Sequence, residues 1–164
     1  ETIDKLTTFR PVNISSDGEW LFWSDDSYGI QVVSRRNRSE RRLFHGHTAH
    51  HVRSIEVASK RKVIVTSDFD GQIFVWDYET LDVLASFWKE HHYPNACAID
   101  PDAQSIATVT NDGELAIWSV DDNQLESSLI VDEALSALTW GANNHNLFVG
   151  GRHGMFTLLL GSNQ

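Results

Sequence analysis

One cysteine, one methionine and three prolines occur in 164 residues, and the scarcity of each narrows what the chain can be. Cys97 is alone, so an intramolecular disulfide is excluded. A reducing intracellular compartment, cytoplasmic or nuclear, is expected. No apolar run approaches the ~20 residues that a membrane-spanning helix needs. The opening residues Glu1, Thr2, Ile3 and Asp4 have neither the basic nor the apolar region of a signal peptide. Basic residues are scarce in the second half: residues 90–164 carry one, Arg152, against ten acidic ones, whereas residues 1–89 carry 12 basic and 13 acidic. A field of that sign disfavours nonspecific nucleic-acid binding by the second half and favours solubility or a basic partner.

Motifs of catalysis are missing too. No Gly-rich phosphate loop, Gly-x-Ser-x-Gly elbow or metalloprotease helix occurs, and no helical stripe of useful length. Asp25 with Asp26, Asp100 with Asp102 and Asp121 with Asp122 fall in expected turns, where local backbone hydrogen bonding accounts for them. The run from His45 to His51 holds four histidines but no Cys or acidic ligand. No enzyme activity, metal or cofactor is expected.

What is present is a ruler. Gly29, Gly71, Gly113 and Gly154 lie 42, 42 and 41 residues apart, and each opens a short β-rich run. A period of about 40 residues built from strands points to propeller blades. Turn residues interrupt the second period so that strands are predicted near 52–58, 62–68, 72–78 and 83–89, and the third near 95–100, 105–111, 115–120 and 124–131. Asp70-Gly71 and Asp112-Gly113 are hairpin signals. The fourth period offers three strands, near 134–140, 146–152 and 155–160. Residues 4–10 form a β-prone run ahead of the first full set, suited to completing an outer edge. The expectation is one all-β array of four blades, each a four-stranded antiparallel sheet, with periods of about 1–47, 48–89, 90–131 and 132–164.

These residues resemble the WD40 repeat family, whose signature is Gly-His before a blade, an Asp-bearing turn and Trp-Asp closing the third strand. Gly46-His47, Asp70-Gly71 and Trp76-Asp77 fit it in the second period. The resemblance implies a structural network of His47, Thr66, Asp70 and Trp76. In the third period it implies Thr108, Asp112 and Trp118, with His91 as the fourth member. The outer periods lack the pattern, with Tyr28 and Ser34, then His153 and Leu159, at the turn-Asp and Trp positions. The family also implies a larger ring, completed by further blades of a parent chain or by another subunit.

One charged cluster stands outside this pattern. Arg35, Arg36, Arg38, Arg41 and Arg42 fall within eight residues, and Lys60, Arg61 and Lys62 lie in the next blade on a loop expected to emerge on the same face. Guanidinium groups make bidentate contacts with oxyanions, so a joint patch suits an acidic protein segment or, less readily, RNA or anionic lipid. The expected role is a noncatalytic protein-interaction scaffold, a subunit of a larger intracellular complex; the alternative is a propeller that binds RNA or anionic lipid through this basic face.

Overall fold

β-Branched and aromatic residues alternate along short runs, and tight turns separate the runs, so the chain pairs locally and antiparallel. The computed structural model describes residues 11–24, 29–47, 51–142 and 144–160. Every helix or strand element among them is a strand. The strands build four antiparallel sheets, each from consecutive strands in chain order. The first sheet holds β1 (Val12–Ile14), β2 (Trp20–Ser24), β3 (Ile30–Ser34) and β4 (Arg41–Phe44). The second holds β5 (Val52–Ala58), β6 (Val63–Asp68), β7 (Ile73–Asp77) and β8 (Val83–Phe87). The third holds β9 (Pro94–Ile99), β10 (Ser105–Thr110), β11 (Glu114–Ser119) and β12 (Gln124–Ile130). The fourth has three strands among the described residues, β13 (Leu135–Trp140), β14 (Asn146–Gly151) and β15 (Gly154–Leu159), rather than four. The expected strand at residues 4–10 lies outside the described residues.

The sheets pack face to face through three apolar layers. Phe22, Ile30, Val32 and Phe44 of the first meet Ile55, Ile64 and Trp76 of the second. Val63, Val65 and Val75 meet Cys97, Ile106 and Trp118. Ala107, Val109 and Leu115 meet Leu135, Leu147 and Val149. The middle strands of the second and third sheets, such as β6 and β10, are thus buried on both faces, and no blade covers its own core. Polar cross-links repeat with the same period along the first strands. Asn13 Nδ2 donates to Ile55 O (2.9 Å) and Asn95 Nδ2 to Leu135 O (3.0 Å). β1, β5, β9 and β13 therefore stand side by side.

Two marks of the glycine ruler, Gly71 and Gly113, have a steric origin. Gly71 and Gly113 take φ of 84° and 81°, a region in which L side chains are strained. A Cβ at Gly71 would also collide with the His92 carbonyl oxygen, and one at Gly113 with that of Val131. Both oxygens belong to the segment that carries the chain into the next blade, so glycine is required at both of these crossings, whereas a Cβ at Gly154 would meet nothing within 4 Å.

Beside Asn13 sits Glu56 of β5, whose carboxylate Oε2 is 3.5 Å from Asn13 Nδ2. Burial pushes the Glu56 carboxyl up to about 7, against a smaller downward pull from Asn13. A carboxyl raised in the folded state binds protons more tightly there than in the unfolded chain. Its contribution is therefore fully favourable below pH ~4.5 and is lost as pH rises through about 7. Glu56→Gln is expected to match the parent near pH 4 and to be more stable at pH 8, by up to about 3 kcal/mol. Urea denaturation at the two pH values reads this; an equal difference at both would contradict it.

Candidate functional site

The buried polar side chains gather at the faces where one blade meets the preceding one. On β6, Thr66 and Asp68 are two residues apart and share a face, because side chains alternate along a strand. Trp76 of β7 donates Nε1–H to Thr66 Oγ1 (2.9 Å), and Thr66 Oγ1 is 2.7 Å from His47 Nε2. His47 Nδ1 is 2.7 Å from Asp68 Oδ2. Asp68 Oδ1 accepts the backbone N–H groups of Asp70 (2.9 Å) and Gln72 (3.0 Å), which ties the chain to the turn. An indole only donates and a hydroxyl has one proton, so the set satisfies itself in one direction. Trp76 N–H goes to Thr66, Thr66 O–H to His47 Nε2, and His47 Nδ1–H to the Asp68 carboxylate.

The third blade repeats this sequence of bonds with different acids. Trp118 donates to Thr108 Oγ1 (2.9 Å), and Thr108 Oγ1 is 2.8 Å from His92 Nε2. His92 Nδ1 is 2.7 Å from Glu114 Oε2. Lys89 bonds the other Glu114 oxygen. Burial holds the His92 imidazole below its ordinary value, opposed by Glu114. Burial pushes Glu114 up, but the bonds from Lys89 and His92 prevail and hold it below the usual carboxylate range.

Three residues of the expected networks are replaced. Asp68, at the end of β6, takes the place expected for Asp70, which sits in the turn beyond the strand. Glu114 takes that of Asp112, which is exposed in the turn. The two tasks of Asp68 are divided in this blade: Thr110 Oγ1 accepts the Glu114 backbone N–H (3.1 Å), and the Glu114 side chain receives the imidazole. His92, fully buried, takes the place expected for His91, whose side chain is 83% exposed. A φ of 59° at His91 turns the chain so that the next side chain points inward. Nothing in residue type separates the two histidines; the tight turn closed by His92 N–H to Lys89 O (3.1 Å) does.

The basic cluster is largely engaged. Arg42 donates to Glu79 O (2.6 Å) and pairs with Glu40 (2.5 Å), and Lys62 pairs with the Glu79 side chain (2.6 Å). Arg42, on β4, and Lys62, at the β5–β6 turn, thus meet at Glu79, an acceptor of this chain. Arg36 pairs with Glu19 (2.7 Å), Lys60 with Asp102 (2.6 Å), and Arg41 donates to Gln31 (2.8 Å). Arg41 and Arg42 also lie over the rings of Trp23 and Trp20. Arg35 and Arg38 border an apolar groove with Ile14, Leu21, Trp23 and Val33, while Arg61 is exposed at the β5–β6 turn. Among the described residues no three His, Cys, Asp or Glu side chains converge as metal ligands.

Removing one member of a buried chain strands its neighbours. Asp68→Ala and Thr108→Val are each expected to cost ~1–3 kcal/mol. Asp112→Ala is expected to cost well under 1 kcal/mol, as exposed sites do. Thermal unfolding of the three variants checks the assignment, and an Asp112 variant as unstable as the Asp68 variant would refute it. Gly46→Ala is expected to be destabilising by a comparable amount, because a Cβ there collides with the Trp76 ring that the network positions.

Residues 38–77 and 82–119 match the family model described as WD domain, G-beta repeat. Over 157 residues the chain is 26% identical to the WD repeat-containing protein 55 homolog of Dictyostelium discoideum, covering 89% of this chain and 38% of that protein. It is 27% identical over 122 residues to WD repeat-containing protein 55 of Rattus norvegicus, covering 74% and 31%. It is 28% identical over 114 residues to the target of rapamycin complex subunit wat1 of Schizosaccharomyces pombe, covering 68% and 35%. The chain thus spans about a third of the length of these relatives. The chain therefore carries two repeats of the WD40 family, flanked on either side by antiparallel sheets of consecutive strands.

Proposed function

We propose that the chain is a noncatalytic protein-interaction scaffold, part of a larger assembly in the cytoplasm or nucleus. The observation that carries this reading is where the reactive side chains are spent. Both buried imidazoles, their acids and their hydroxyls are consumed in joining blades, which leaves rigid edges and loops as the recognition surface. Burial pushes the Cys97 thiol up to about 12, so it is no nucleophile. Two relatives carry association in their names, a complex subunit in Schizosaccharomyces pombe and actin-interacting protein 1 in Drosophila melanogaster. Further blades, from a longer chain or a second subunit, fit the shorter span relative to those proteins.

Protein partners are favoured over RNA or anionic lipid. Arg36, Arg42, Lys60 and Lys62 are ion-paired within the chain, so the basic face is not an open positive field. Expressed with a tag in cells and fractionated by size, the chain is expected to co-elute with proteins well above 18.5 kDa, and nuclease is expected to leave that profile unchanged. Elution as the free chain, or collapse of the high-mass species on nuclease treatment, would overturn the reading.

A further inference from the structure

The outermost strands of the three four-stranded sheets differ in how their edges are closed. Unpaired edges template pairing with other chains, and proteins blunt them with short strands, charges, prolines or covering loops. β4 has four residues, two of them arginines. β8 has five, and its Ser86 N–H is taken by Asn123 Oδ1 of the next blade (3.1 Å). β12 is seven residues long, exposed at every position, and contains no Lys, Arg or Pro. Ile130 is 78% exposed, and Leu125 and Leu129 are exposed as well.

Hydrogen-bond phase shows which backbone groups point outward. Val131 N–H donates to Gly113 O (3.0 Å), and Leu129 pairs with Leu115 two positions on. The intervening pairs, Ile130 with Glu114 and Ser128 with Ala116, therefore turn their β12 N–H and C=O away from the sheet. The two faces flanking this edge differ in chemistry. On the side of the second blade a groove is lined by Phe87, Trp88, Trp118 and Leu125, with Lys89, paired to Glu114, also in its wall. On the side of the fourth blade the groove is more polar, with Glu126, Ser127, Asn144 and His145 beside Trp140 and Leu160. Asp132 and Glu133 follow the strand, in a half-chain with ten acids and one base.

From this we infer that β12 is a strand-addition site, taking an extended segment of a partner protein in which apolar side chains alternate with Lys or Arg. The backbone of the segment pairs with Ser128 and Ile130. Its apolar side chains enter the Trp88 groove, and its cations face Glu126 and the acidic half. Charge complementarity selects a basic segment, and Trp88, 62% exposed, supplies the apolar anchor. Blades on both faces of the third sheet are in place, so this edge is independent of what covers the outer faces of the first and fourth.

This inference rests on the scaffold reading, and its test separates the two. A random-peptide phage library selected on the intact chain is expected to enrich alternating apolar and basic segments. A synthetic peptide from that pool is expected to slow amide exchange at Ser128 and Ile130. Ser128→Pro, which removes one outward N–H, is expected to weaken it about tenfold. N-methylation of every second peptide amide is expected to do the same with the protein unaltered, which keeps the test valid if the proline variant misfolds. No enrichment, or selected peptides that leave exchange along β12 unchanged, overturns the site. If cellular partners still co-elute in that case, the scaffold reading stands and only this edge is wrong.

Discussion

A directed hydrogen-bond chain between blades is the constraint on which the rest of this architecture depends. A lone four-stranded sheet leaves two apolar faces in water, so stability comes only from stacking, and stacking by apolar contact alone does not set an angle or a register. The sequence indole to hydroxyl to imidazole to carboxylate supplies that register. It begins on the third strand of a blade, passes the second, crosses to the imidazole on the segment that arrived from the blade before, and returns to a carboxylate of the same blade. Each bond is made inside a layer where an unpaired group would cost ~1–3 kcal/mol, so the partners either all meet or the interface loosens.

Much of this was legible because it is periodic. The spacing of Gly71 and Gly113 follows from a single crowded crossing, and any side chain there meets a carbonyl of the passing chain. The strands of the second and third blades follow from alternation and turn chemistry, and His47, Thr66 and Trp76 meet as the family resemblance implies. The acids were misplaced for a physical reason. The resemblance implies the turn acids Asp70 and Asp112, whereas the imidazole needs a carboxylate on the face of Thr66 or Thr108. The i, i+2 relation of Thr66 to Asp68 was available in the residues themselves. Glu114 was not, because it arrives from a neighbouring strand, and the choice between His91 and His92 depends on one residue with positive φ.

The surface tells a complementary story about charge. Residues 35–42 and 60–62 look like an oxyanion site when read as a string, yet folding brings Glu19, Glu40, Glu79 and Asp102 against them. Exposed pairs of this kind are individually weak. Their joint effect is on the field: opposed charges placed within a few ångströms cancel at a distance, so the string of basic residues does not act as one positive patch.

The tautomers of the two buried imidazoles test the central claim most directly. In a directed chain both His47 and His92 carry their proton on Nδ1 and leave Nε2 bare to accept from threonine. Nitrogen-15 NMR of the imidazole rings at pH 7 distinguishes the two nitrogens by their coupling to ring protons. A bare Nε2 and a protonated Nδ1 in both rings is the result expected. Protonated Nε2 in either ring would break the direction of the chain and contradict the account.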